Sequence, residues 1–105
     1  MKHRVVIQPS AKAELRDAYR WYYNQSPTAA DRWLDKLLKA IDTLKTHPER
    51  CALAPENDAF DETIRQLLYG KKRGTYRIVF TVKEGVVDVL HIRHAARQHL
   101  GPDET

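Results

Sequence analysis

The residues best suited to chemistry gather late in the chain. Arg65, Lys71, Lys72, Arg73, Arg77, Arg93 and Arg97 share its last third with His91, His94 and His99, whereas acidic residues are spread through the first two thirds. Clustered cations attract an anion, either nucleic acid or an acidic protein segment, and the net charge of +4 agrees with such a partner. Histidine is the side chain whose ordinary pKa lies near neutrality, so His91 and His94 are candidates for moving protons; a histidine near a strand end also serves as a buried hydrogen-bonding group. Their H-x-x-H spacing is a weak zinc signal, because the pair falls on a strand and Cys51 is the only cysteine. We expect no metal or other cofactor, no disulfide, and an inert Cys51. The run Lys71-Lys72-Arg73 between Gly70 and Gly74 reads first as a solvated turn and second as a contact for RNA or an acidic partner.

These side chains need a scaffold. The 105 residues suit one domain over the whole chain, and no run is apolar for the roughly 18 residues of a membrane span. The apolar start stops at Gln8-Pro9, short of a signal peptide, which predicts a cytoplasmic protein. Residues 3–8 form a short β-branched strand ended by Pro9. Ser10 offers an N-cap, and Leu15, Ala18, Tyr19 and Tyr22 recur at helical spacing up to about Asn24. Ser26-Pro27 begins a second helix with Ala30, Trp33, Leu34, Leu37, Ile41 and Leu44 inward, which Pro48 closes. The two helices form a hairpin whose apolar faces seek a sheet. Residues 49–62 lack periodicity and read as a long loop able to shape a site.

Three strands follow, at residues 63–69, 75–82 and 86–94, so the order β-α-α-β-β-β predicts an α+β fold with the helical hairpin on one face of a three-stranded antiparallel sheet. Alternation turns Tyr76, Ile78, Phe80 and Val82 towards the helices and Arg77, Val79 and Thr81 away. A three-residue loop at Lys83-Glu84-Gly85 would place Arg77 opposite His91 with Arg93 alongside, making an open basic groove floored by Val79 and Val89; a one-residue slip would scatter that group.

The layout, together with Arg65-x-Leu67-x-Tyr69, Tyr76-Arg77-Ile78-Val79-Phe80 and Val89-Leu90-His91-Ile92-Arg93-His94-Ala95-Ala96-Arg97, resembles the RelE/ParE superfamily of toxins, of the plasmid-stabilisation type. The resemblance spans nearly the whole chain. It implies a type II toxin that arrests growth and is neutralised by a cognate antitoxin whose C-terminal segment wraps it. One branch cuts mRNA on the ribosome without a metal; the other poisons DNA gyrase. Cleavage would need cations for the charged phosphorane-like state and groups to move protons. By resemblance Arg65, Arg77 and Arg97 would supply the cations and His91 and His94 the proton transfer. Leu67 stands where that branch would have a lysine, and no tyrosine follows Arg97, so the gyrase branch is slightly favoured over the ribosome-dependent mRNA endonuclease. A third reading is a non-toxic binding module that keeps only the fold. Lys71, Lys72, Arg73 and Arg93 are the expected target contacts. Tyr19, Tyr22, Tyr23 and Trp33, at helical spacing, are read as core or antitoxin-groove residues.

Overall fold

A computed structural model describes residues 2–96. Strand β1 (Arg4–Ile7) leads into helix α1 (Pro9–Gln25), helix α2 (Pro27–Asp42) and short 3-10 turns at Thr43–Lys45, Pro48–Arg50 and Asn57–Ala59; strands β2 (Arg65–Tyr69), β3 (Tyr76–Lys83) and β4 (Val86–His94) complete it. The order across the sheet is β1-β4-β3-β2. The α+β class and element order are as expected, but the sheet has four strands, because β1 joins the antiparallel trio as a parallel edge, Arg4 beside Val86 through Ile7 beside Val89. No helix among the described residues is long and apolar enough to cross a membrane.

The start of α1 also differs from expectation. Pro9 opens the helix as its first residue, where a missing N–H costs nothing, and Gln8 is the cap. Ser10 lies inside the first turn, and its hydroxyl donates to the Leu90 carbonyl at 2.8 Å. At the second helix Ser26 caps as expected, accepting from the Ala29 N–H at 3.3 Å. The chain leaving α2 is held by Arg50, whose side chain donates to the carbonyls of Thr46 and His47 at 2.8 and 3.2 Å, the latter also accepting from the Arg50 N–H at 3.1 Å.

Both helices bury one stripe against the same side of the sheet. Ala11 and Leu37 with Ile41 and Leu44 meet Ile78, Phe80, Val87, Val89 and Ile92, and Leu15, Ala18, Tyr22 and Trp33 pack around them. Removing each large apolar side chain from water contributes about 1.5–3 kcal/mol. Tyr76, Ile78, Phe80 and Val82 therefore face the helices, as alternation required.

The opposite face is closed rather than open. Ala54 and Ile64 cover Val79, with Phe60 and Leu90 beside them. Backbone bonds from Ala54 N to Ile64 O (2.9 Å) and from Gln66 N to Ala52 O (3.0 Å) tie the long loop to the β2 edge. The expected basic groove is absent for two further reasons. The hairpin turn has two residues, Glu84 and Gly85, both at positive φ (52° and 77°), with Lys83 paired to Val86. A bulge then inserts Leu90 between the Phe80–Val89 and Val79–His91 pairs, so Arg77 faces Arg93 and not His91. The extra residue shifts the strand's phase, which is why Val87, Val89 and Ile92 all serve the helix side.

Candidate functional site

The charged residues of the last third are organised by two carboxylates from elsewhere in the chain. Arg77 lies in the middle of β3 on the loop-covered face and is only 5% exposed. Its Nη1 donates to Glu56 Oε2 at 3.1 Å, Nη2 closes the pair on Oε1, and Nε donates to Gln66 Oε1 at 2.8 Å. Such a two-toothed pair satisfies a guanidinium that burial would otherwise penalise heavily. Arg65 is also committed: its Nη1 donates to the carbonyls of Cys51 and Glu49 at 2.7 and 3.2 Å, which holds the loop down. The Cys51 thiol beneath is buried, and burial pushes its pKa up, against reactivity.

The second carboxylate is Glu14, on α1. Beyond Ile7 the outer edge of β4 has no strand beside it among the described residues, and α1 takes that place. Glu14 Oε1 accepts from the Ile92 N–H at 3.1 Å and meets His91 Nδ1 at 3.1 Å, while Oε2 accepts from Arg93 Nε at 2.6 Å. Burial alone would raise the Glu14 pKa; the bonds from His91, Arg93 and the Ile92 amide outweigh it and hold the carboxyl below its usual value. His91 is 2% exposed.

His94, at the end of β4, stacks edge-on against Tyr76 with ring centroids 5.3 Å apart. Its Nδ1 accepts from the Ala96 N–H at 3.1 Å, which leaves Nε2 to donate to the Arg73 carbonyl. Tyr76 continues through Trp33 (5.3 Å) to Tyr22 (4.9 Å), an aromatic row between helices and sheet, and burial pushes the Tyr76 phenol up to about 12. A cavity of about 250 Å³, lined by Glu14, Asp17, Tyr76, Arg93 and His94 among others, opens where α1 passes this strand end.

The candidate residues thus fall into separate places. Arg77 and Arg65 serve the loop side, His91 and Arg93 share Glu14, and His94 supports the turn at Arg73; Arg97 lies outside the described residues. Lys71, Lys72 and Arg73 are exposed on that turn. Of the four aromatic residues, Tyr22 and Trp33 belong to the core cluster. Tyr19 and Tyr23 line an outer cavity of about 320 Å³ with Arg16 and Arg20. Among the described residues no three His, Cys, Asp or Glu side chains are grouped to hold a metal ion.

Sequence reasoning missed Glu14 and Glu56. Glu14 had a signal: it lies three residues after the buried Ala11 and four before Ala18, an acid within the inward stripe of α1. Glu56 had none, since its loop carries no periodicity.

The family model described as ParE toxin of type II toxin-antitoxin system, parDE, matches residues 5–99. The chain belongs to this family of toxins. Among curated relatives, Toxin RelE2 of Caulobacter vibrioides is 40% identical over 95 residues, covering 90% of this toxin and 97% of the relative. Toxin RelE3 of the same organism is 28% identical over 91 residues, covering 87% and 92%. A chain of the chromosomal ParDE TA system from P. aeruginosa shares the toxin's fold with a TM-score of 0.71 at 19% identity, covering 89% of the toxin and 96% of that chain.

Proposed function

We propose that the toxin arrests growth by binding and poisoning DNA gyrase in the cytoplasm, not by cutting RNA, and that a cognate antitoxin neutralises it. The observation that carries this reading is the Arg77–Glu56 pair. An arginine that stabilises a phosphorane-like state must present free N–H groups to the phosphate, whereas here both ends of the guanidinium are engaged by a carboxylate buried with it. Arg65 is occupied by loop carbonyls, and His91 is enclosed beside Glu14. The relatives' names point to both branches, so the reading rests on this geometry.

For the antitoxin, the exposed face of α1 is the natural seat. Tyr19 and Tyr23 are accessible there beside Arg16 and Arg20, and Tyr19 is oriented by donating its hydroxyl to Asp31 at 2.6 Å. Tyr22 and Trp33 act through the core that supports this face.

The test is induced expression with and without the neighbouring antitoxin gene, followed by primer extension on cellular mRNA and a gyrase supercoiling assay on the purified toxin. Growth arrest with inhibited supercoiling and no new mRNA ends is expected. Discrete ribosome-dependent mRNA ends with supercoiling intact would overturn the proposal in favour of the nuclease, and absence of arrest would leave a non-toxic binding module.

A further inference from the structure

We propose that the turn joining β2 to β3, Lys71-Lys72-Arg73, is a pre-shaped seat for the phosphodiester backbone of a nucleic acid. Most other arginines of the sheet and its loop are already engaged: Arg77 by Glu56, Arg93 by Glu14, and Arg65 and Arg50 by carbonyls. By contrast, no ion pair or side-chain hydrogen bond engages Lys71, Lys72 or Arg73 among the described residues, and all three are exposed. Nor does the chain from Thr63 to Lys83 contain a single acidic residue. Successive Cα atoms are about 3.8 Å apart, so the three cationic side chains leave the backbone from within about 8 Å of one another.

The backbone beneath them is held, unlike that of an ordinary solvated run. Gly74 N bonds to Lys71 O at 2.9 Å, Thr75 N to Lys72 O at 3.2 Å, and His94 donates to the Arg73 carbonyl from the core side. Lys72 adopts the left-handed conformation, with φ of 51°. Gly70, at φ +97°, lies so close to Gly74 that a Cβ would stand 2.5 Å from its carbonyl oxygen. A fixed turn loses little backbone freedom when a polyanion docks, and the bound counterions it displaces favour binding further. Another exposed basic stretch, Arg16 and Arg20 on α1, has Glu14 and Asp17 among its neighbours and offers a weaker field.

The inference does not depend on which machine the toxin inhibits. Fluorescence anisotropy of the full-length toxin with a labelled 20-base-pair DNA duplex and a single-stranded RNA of equal length, over a salt series, tests it. Exchanging Lys71, Lys72 and Arg73 for Gln should weaken binding at least tenfold at low salt and lower the salt slope on duplex DNA by about 2 to 3. The same change of charge at the exposed Arg32, Lys36 and Lys83 should leave that slope nearly unaltered; whichever probe binds more tightly identifies the source of the phosphates. Equal weakening by both triple variants would reduce the effect to net charge and overturn the proposal. So would failure of the unaltered toxin to bind either probe, or competition by polyglutamate as effective as by unlabelled DNA. A toxin that binds DNA through the turn yet leaves supercoiling untouched would remove the gyrase reading alone.

Discussion

Glu56 and Glu14 both reach the sheet from outside it, one from the long loop and one from α1, and each pairs with an arginine of the sheet. Their surroundings differ. Glu56 and Arg77 are almost fully enclosed, with side chains 4% and 6% exposed, whereas Glu14 keeps 18% of its side chain accessible and spreads its two oxygens over a backbone amide, an imidazole and a guanidinium. Breaking the enclosed pair leaves a charge where little water can reach it. The half-open cluster has water as a second partner. Two clamps of similar composition should therefore fail differently.

The largest effect belongs to the enclosed pair. Glu56→Ala should destabilise the toxin by about 3–5 kcal/mol in urea denaturation, because it leaves a buried guanidinium unmatched. Combining Glu56→Leu with Arg77→Met should recover most of that loss, since apolar packing replaces a pair that was expensive to desolvate. A single variant as stable as the parent would mean that water reaches Arg77.

A smaller loss is expected at the half-open cluster. Glu14→Ala should cost about 1–3 kcal/mol, chiefly through the Ile92 amide and the Arg93 guanidinium left without their acceptor. This clamp should also be the acid-sensitive one. A carboxyl held below its unfolded pKa of about 4.3 contributes its full stability above that pH and loses it as pH falls through the lower folded value. Melting temperature should thus drop below about pH 4 in the unaltered toxin, and less steeply in Glu14→Gln; parallel curves would assign the acid sensitivity elsewhere.

The smallest change is local. Glu84 sits at φ 52° in the two-residue hairpin turn, where asparagine is better tolerated. Glu84→Asn should add a few tenths of a kcal/mol to stability without touching either clamp, and a loss instead would mean that the acidic side chain has a role in the turn.

Periodicity was enough to find both helices and the helix-facing side of β3, because these depend on neighbours three or four residues away, or two along a strand, and the Ser26-Pro27 pair marked the second cap. It failed first at Leu90. A bulge is one inserted residue with no reliable mark in an apolar run, yet it replaced the Arg77–His91 pairing with Arg77–Arg93. It failed again where the loop folds back. The strand pattern around Arg77 reads equally well for an exposed arginine and for one sealed by a distant acid, so residues expected to share one groove lie apart in the fold.

The sequence by itself determined the α+β class, the elements, their inward stripes and the basic turn at residues 71–73, since each rests on local spacing, turn residues or charge, while the toxin family came from resemblance. Only the tertiary structure decided that β1 joins the sheet beside β4, that residues 51–64 close the second face, and which acid meets which base. Those outcomes depend on contacts between residues as far apart as Glu14 and Arg93, where the gain from burying and pairing groups outweighs any local preference.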